Sequence, residues 1–357
     1  FNTIIDGEHI LHDKTGKFIN LYAAFDVYYI NKRDVRALGF VPSEKDDVQT
    51  NFRYPLLVNI INSLKLKSVI GNGASPLRVK EKSFYADSET QTIFQACNTI
   101  LEMINKGMYE YETDGLIFTP TDKGVGTDRI GKYIKPLKTT WDYSFKWKPP
   151  EFNTIDFLIT VKKDTDGRDF IGNIFQDGTD TSAATQLTQY KTVILRVGYD
   201  ERRHGYVNPC LNLLNADFDT VGDKDANEGY RPVQFFPTNP SDNKAGICNI
   251  LLETSPAGDK IMKTLENQVI DDIMIVEFRY IMDGKSGWKW QPLRVRYDKT
   301  ADLRTGGKNF GNAYHVANSN WYSIHTPITN EMIRTGANIP NNVEDSDVYY
   351  NVKAGDS

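Results

Sequence analysis

Phe145-Lys146-Trp147-Lys148-Pro149 sets two lysines one residue apart among aromatic residues, and Pro149-Pro150 closes the run. Along an extended chain, residues i and i+2 point to one face. The spacing predicts a short strand with Lys146 and Lys148 on one side and Phe145 and Trp147 on the other. Adjacent ammonium groups repel unless an anion lies between them, and a phosphate suits that position. Taken alone, the stretch also reads as an edge strand whose lysines discourage aggregation. The neighbouring sequence decides between the two.

Upstream, Asp114-Gly115 runs straight into Leu116-Ile117-Phe118, a buried-strand pattern with a carboxylate at its mouth. An ordinary Asp-Gly turn has the same composition. Residues 121–135 are rich in Gly and Lys, but no GKS or GKT follows their GVG, so they read as a connection. Ser88 to Gly107 predicts a helix with Ser88 and Gln91 as a capping box and Gly107 at the C-terminal cap. Its apolar stripe is Ile93, Cys97, Ile100, Leu101 and Ile104, which puts Cys97 in the core. Pro55 to Leu66 also has helical spacing. Phe18 to Ile30 (FINLYAAFDVYYI) reads as a buried strand interrupted by one acid. There Phe25 and Asp26 are either a core aromatic and a turn-proximal acid, or a platform at a pocket edge. Phe1 to Ile5, Asp6-Gly7-Glu8 and His9 to Leu11 read as a strand, a tight acidic point and a strand, with a turn at residues 13–17 (DKTGK).

Downstream, Phe152 to Ile159 predicts a strand, and the polar stretch 162–188 suggests a domain boundary near residue 160. Lys191 to Tyr199, Ile273 to Tyr280 and Trp288 to Lys299 predict strands, and Arg231 to Pro240 is extended. Short strands with turns between them suggest a small barrel or sandwich. Alternation through the last strand puts Arg294, Arg296 and Asp298 on one face. Two arginines there invite an anion, unless Asp298 or a neighbour neutralises them in surface salt bridges. The expected class is α+β.

The 357 residues suffice for two domains, and 39% hydrophobic with 25% charged residues is a globular profile. A net charge of −5 argues against a long non-specific nucleic-acid groove, so any such contact is expected to be local. Cys97, Cys210 and Cys248 are odd in number and widely spaced, which speaks against a disulfide framework or a zinc site and for a reducing compartment. The five histidines are scattered and read as structural. No apolar run approaches a membrane span and no signal peptide is visible, so neither membrane association nor secretion is expected. The start at Phe1, inside an apparent strand, and the polar end suggest an internal piece of a longer polypeptide.

Taken in order, Asp6-Gly7-Glu8, Phe25-Asp26, Asp114-Gly115-Leu116-Ile117-Phe118 and Lys146-Trp147-Lys148-Pro149 resemble motifs III, IIIa, IV and V of the covalent nucleotidyltransferases. These are the mRNA-capping guanylyltransferases and the ATP-dependent polynucleotide ligases. Trp288 through Arg294, Arg296, Asp298 and Lys299 resemble motif VI, which lies in that family's OB-fold domain. Asp rather than Glu at 114, the WKP of residues 147–149 and the RxDK of residues 296–299 are capping-like. Arg231 to Pro237 and Trp321 to Ile333 are similar to segments of the multifunctional capping enzymes of large DNA viruses.

The resemblance implies a nucleotidyltransferase domain over 1–160, built of ATP-grasp-like antiparallel sheets with helices. An OB-fold domain over 161–302 and a linker over 303–357 toward a methyltransferase would follow. It implies GMP transfer from GTP, through a lysyl-GMP intermediate, to the 5′-diphosphate end of RNA. Magnesium or manganese would be bound by Asp114, with Glu8 holding the ribose or a metal-bound water. Phe25 would stack on guanine, and Lys146 and Lys148 would contact the α-phosphate. Arg294, Arg296 and Lys299 would close over the β- and γ-phosphates, with Asp298 in the same catalytic motif. Implied partners are an RNA triphosphatase and a methyltransferase, in a virion or the cytoplasmic factory of an infected host. The family's nucleophile is the lysine of a KxDG motif, and no KxDG occurs in these residues. The expectation is that it precedes Phe1 or that the protein lacks it. Two other readings stay open, an ATP-dependent ligase and a non-catalytic scaffold of the same fold.

Overall fold

The computed structural model describes residues 2–42, 51–64, 66, 76–127, 141, 143–175, 181–182, 187–200 and 229–337. The expected features at Cys210, His204, residues 128–135 and residues 338–357 lie outside them. The chain is α+β with mostly antiparallel strands, in two compact units: Phe1–Pro149 with Ile328–Ser357, and Pro150–Pro327.

In the first unit, β1 (Ile4–His12) and β2 (Phe18–Ile30) form an antiparallel hairpin. The turn between them is held by Asp13 Oδ1, which accepts the backbone N–H groups of Thr15 at 2.8 Å and Lys17 at 2.9 Å. β1 runs unbroken through Asp6-Gly7-Glu8, where the register shifts at Asp6/Gly7 in place of the expected break. Gly7 is needed there, because a Cβ would sit 2.6 Å from the Tyr22 ring and 2.8 Å from the Ala23 carbonyl. β3 (Arg33–Asp34) extends the sheet antiparallel, and β4 (Arg78–Glu81) pairs with β2 in parallel. β2 is the buried strand its apolar run predicts: Leu21, Ala23, Ala24 and Val27 are all at most 2% exposed. Helix α1 (Arg53–Ser63) sets Leu57 against Ala24, Val27 and Val35.

Helix α2 (Ile93–Asn105) begins five residues later than Ser88. The capping box is Thr92–Gln95: Thr92 Oγ1 accepts the Gln95 N–H at 3.3 Å and Gln95 Oε1 accepts the Thr92 N–H at 2.8 Å. Ser88 instead closes a local turn through the N–H of Gln91. Both S/T-x-x-Q frames occur in the sequence, but only the second directly precedes the apolar stripe. Gly107 takes the left-handed conformation just past the helix, as expected, and Cys97 is buried. The antiparallel pair β5 (Leu116–Phe118) and β6 (Phe145–Trp147) lays Leu116 and Trp147 against Cys97 and Leu101. A short helix, Asn330–Thr335, adds Ile333 to that cluster.

The second unit starts at Pro150, so the boundary expected near residue 160 lies earlier. The reason is β7 (Thr154–Val161), which is the middle of a seven-stranded sheet and cannot be divided from it. Around it come β8 (Ile171–Phe175), β9 (Leu187–Tyr199), β10 (Arg231–Gln234) and β11 (Ile247–Leu251). A small three-stranded sheet follows: β12 (Glu253–Thr254), β13 (Lys260–Lys263) and β14 (Val269–Ile270). β15 (Met274–Tyr280) and β16 (Trp290–Val295) complete the large sheet in the order β10-β9-β7-β15-β16, with β8 and β11 also on β9. Its core stacks Phe157, Phe235, Phe278, Trp290 and Trp321. Trp321 belongs to helix α4 (Tyr314–His325), which follows α3 (Tyr297–Arg304). The stretch expected to be a linker from 303 is therefore part of this unit up to Pro327, and Ile328 onward belongs to the first. Among the described residues, no helix is long and apolar enough to cross a membrane.

Candidate nucleotide-binding site

β5 and β6 pair so that Leu116 faces Trp147 and Ile117 faces Lys146. This brings Asp114, just ahead of β5, to Lys146 and to Lys148, just past β6. Asp114 Oδ2 lies 3.0 Å from Lys146 Nζ and 3.1 Å from Lys148 Nζ. The two lysines share a side as predicted, and the anion between them is a carboxylate. Partial burial pushes the Asp114 pKa up, but the two ammonium groups outweigh it and hold the carboxyl below its usual value. Oδ1 has no hydrogen-bond partner among the described residues.

Two features fix this geometry. Gly115 has φ +149°, and a Cβ on it would sit 2.0 Å from the Trp147 carbonyl oxygen, so only glycine lets β5 come this close to β6. Trp147 is buried beneath the lysines, and its Nε1–H donates to the Ile328 carbonyl at 2.8 Å. Phe145, expected on the side of Trp147, is 63% exposed.

Glu8 and Phe25 meet through a residue the sequence reading passed over. Lys82 follows β4 and continues its pairing, donating its N–H to Ala24 at 2.7 Å. Its Nζ lies 2.8 Å from Glu8 Oε2 and 5.6 Å from the centroid of the Phe25 ring. Glu8 and Asp114 thus belong to different ion clusters, and among the described residues no three His, Cys, Asp or Glu converge on a metal position.

Asp26 is no turn residue. It is buried in mid-strand with Arg53, whose Nε is 2.8 Å from Oδ1 and Nη2 3.2 Å from Oδ2. Burial raises the Asp26 pKa, opposed by the Arg53 guanidinium. Asp6 accepts the Tyr28 hydroxyl, and burial together with that carboxylate pushes the phenol pKa far up.

In the second unit the expected common face of Arg294, Arg296 and Asp298 does not form. β16 ends at Val295, and Arg296 is the N-cap residue of α3, with Asp298 in its first turn. Arg294 stays on the sheet, with Nε 2.7 Å from Glu277 Oε2. Arg296 Nη1 and Lys299 Nζ converge on the buried Asp156 Oδ2 at 2.6 and 2.7 Å. Asp298 is exposed, 3.6 Å from Arg296 Nε. Asp156, Glu277 and Arg294 lie opposite one another across β7, β15 and β16, an acid–acid–base row. Burial raises the Glu277 pKa, but the Thr154 hydroxyl and Arg294 outweigh it and leave it lowered.

Curated relatives bear on what such a site does. The chain is 28% identical over 249 residues to a mimivirus protein named "Probable mRNA-capping enzyme", covering 69% of this chain and 18% of that protein. It is 27% identical over 206 residues to the mRNA-capping enzyme of Danio rerio, covering 54% of this chain and 30% of that enzyme. With an African swine fever virus mRNA-capping enzyme it shares 26% identity over 193 residues, 54% of this chain and 19% of that enzyme. The chain is related to the mRNA-capping enzymes. It spans under a third of the length of each of these capping enzymes. No family model matches it.

Proposed function

We propose that the chain is the guanylyl-transfer core of an mRNA-capping enzyme, with a nucleotidyltransferase domain in the first unit and an OB-fold domain in the second. The observation that carries this reading is Asp114 held between Lys146 and Lys148 on paired strands, in a relative of capping enzymes. In the reaction a lysine amine attacks the α-phosphorus of GTP. A P–N bond forms, the P–O bond to pyrophosphate breaks, and the amine loses a proton. A terminal oxygen of diphosphate-ended RNA then attacks the same phosphorus and displaces the lysine.

Negative charge grows on the α-phosphate and the leaving pyrophosphate, so fixed cations there lower the barrier. Lys146 and Lys148 supply two, and their charges also favour the unprotonated, nucleophilic form of a third lysine. Glu8 and Lys82 offer an acceptor and a donor for ribose and base beside the Phe25 ring. Arg294, Arg296 and Lys299, with Asp298 beside them, form the second cationic set, suited to the β- and γ-phosphates. The open Oδ1 of Asp114, an oxygen donor ionised at neutral pH, fits magnesium or manganese completed by substrate oxygens and water. Such an ion would supply further charge neutralisation at the phosphates.

The reactive lysine belongs to a KxDG motif absent from these residues, so the test uses the complete polypeptide. With GTP labelled at the α-phosphate and magnesium or manganese, a covalent protein–GMP adduct is expected, discharged by RNA ending in a diphosphate. Labelling by ATP and not by GTP would make the chain a ligase core instead. Labelling by neither would leave a scaffold.

A further inference from the structure

The second unit has a concave pocket of about 200 Å³ that the proposed chemistry does not use. The buried Tyr280 lines it, with Lys289 Nζ 5.5 Å from the centroid of its ring. Asp242 brings a carboxylate, but both its oxygens are already engaged. Oδ1 accepts the backbone N–H of Lys244 at 2.8 Å, and Oδ2 accepts the Tyr280 hydroxyl at 3.3 Å. The side chains of Asn243, Lys244 and Ser286 also line the pocket and have no hydrogen bond or ion pair among the described residues. Among the described residues, the ammonium of Lys289 has the Tyr280 ring alone. Two lysines against one carboxylate, together with an amide and a hydroxyl side chain, therefore line one concavity, with a net positive charge. Their complement is an anion rich in acceptor oxygens.

We propose that this pocket docks a single phosphodiester group of the RNA chain, a proposal that rests on RNA being the acceptor. Size argues for one phosphate. Small-molecule sites usually enclose roughly 300–1,000 Å³, and this pocket is smaller, with room for a phosphate and its flanking ribose oxygens rather than a whole nucleotide. Charge argues the same way. The chain carries −5 overall, so it has no general attraction for a polyanion and must hold RNA at local cationic points.

The test is fluorescence anisotropy of the 357-residue chain with a short fluorescent single-stranded RNA over a range of salt, comparing wild type with the double variant K244Q/K289Q. The variant is expected to weaken binding about tenfold and to flatten the salt dependence of log Kd by ~0.7, the value for one phosphate neutralised on a single strand. K244R/K289R is expected to restore both. An unchanged Kd and slope in a K244Q/K289Q chain with a wild-type melting profile overturns the proposal. A second titration uses inorganic phosphate alone. If the double variant loses phosphate binding while its RNA affinity is unchanged, the pocket serves free phosphate and the RNA assignment fails. The complete polypeptide carrying K244Q/K289Q should still form the GMP adduct at the wild-type level. No adduct in the wild type would sink the functional reading, whereas RNA affinity indifferent to both lysines sinks the pocket alone.

Discussion

Arg53, fully buried, forks onto Asp26, its Nε 2.8 Å from Oδ1. Its Nη1 also donates to the carbonyls of Leu38 and Lys123, so one guanidinium joins β2 to two loops. Removing one partner of a buried pair strands the other charge and costs about 3–5 kcal/mol. Arg53→Ala is expected to fall in that range by urea denaturation. A paired Arg53→Met, Asp26→Leu change should recover most of the loss, because no lone charge remains. A double variant as unstable as Arg53→Ala would show that the loop carbonyls, and not Asp26, are what Arg53 serves.

Asp114 and Asp26 should respond to pH with opposite signs. The folded-state pKa of Asp114 lies below the ordinary aspartate value of 3.8, so it is the unfolded chain that binds the proton more readily. Its contribution is present above that value and is lost as pH falls through the lowered folded pKa. Asp26 has a raised pKa, so the folded chain holds that proton longer, and its contribution falls as pH rises from 3.8 through the raised value. Melting temperatures of Asp114→Asn and wild type should therefore converge at acid pH and separate toward neutrality. A difference that persists unchanged at the lowest pH would contradict the ion pairs drawn here. Because Asp114 is ionised throughout the neutral range, it should contribute no inflection to the rate of adduct formation between about pH 6 and 8.

What could be read from the sequence was what neighbours in sequence decide. The apolar run of β2, the Asp-Gly entry to β5, the stripe of α2 and the shared side of Lys146 and Lys148 each follow from a local period. Pairings across long separations left no such trace. Arg53 with Asp26, Lys82 with Glu8, and Asp156 with Arg296 and Lys299 are joined over 27, 74, 140 and 143 residues. The strand expected over Trp288 to Lys299 misled for a different reason. Its alternation continues past Val295, but Asp298 in the first turn and Arg304 in the last suit the dipole of a helix, and the chain turns into α3. The boundary was hidden because β7 reads as well for one unit as for the other until its partners β9 and β15 are known.

The strand that carries the lysines depends on two contacts that leave the lysines untouched. Trp147→Phe keeps the buried ring but removes the N–H and leaves the Ile328 carbonyl without it, at a cost of about 1–2 kcal/mol. Gly115→Ala meets both a φ of +149° and the Trp147 carbonyl, and should cost at least about 2 kcal/mol. Gly115→Ala should also abolish adduct formation by the complete polypeptide, since β5 must withdraw from β6 and take Asp114 off the lysines. Trp147→Phe should retain most of it. Equal activity in both variants, with folding intact, would mean that the spacing of β5 and β6 does not set the site.

Asp156 is the shared counter-ion of Arg296 and Lys299, and its removal gives the sharpest test of how these two cations are held. Arg296 Nη1 and Lys299 Nζ share its Oδ2, and Glu277 stands opposite on β15. Losing the carboxylate leaves two cations without their common acceptor, which should cost about 3 kcal/mol for Asp156→Ala. Glu277 gains in compensation, because a like charge across the strand pair disappears. Asp156→Asn should therefore be milder than Asp156→Ala, and Asp156→Ala combined with Glu277→Gln should be worse than either single change, since Arg294 then loses its partner as well. For activity, the expected consequence in the complete polypeptide is a raised KM for GTP with a smaller fall in kcat, as the cations lose orientation but not charge. A fall in kcat at constant KM would instead place Asp156 in the transition state itself, and unchanged kinetics would mean that Arg296 and Lys299 do not reach the phosphates.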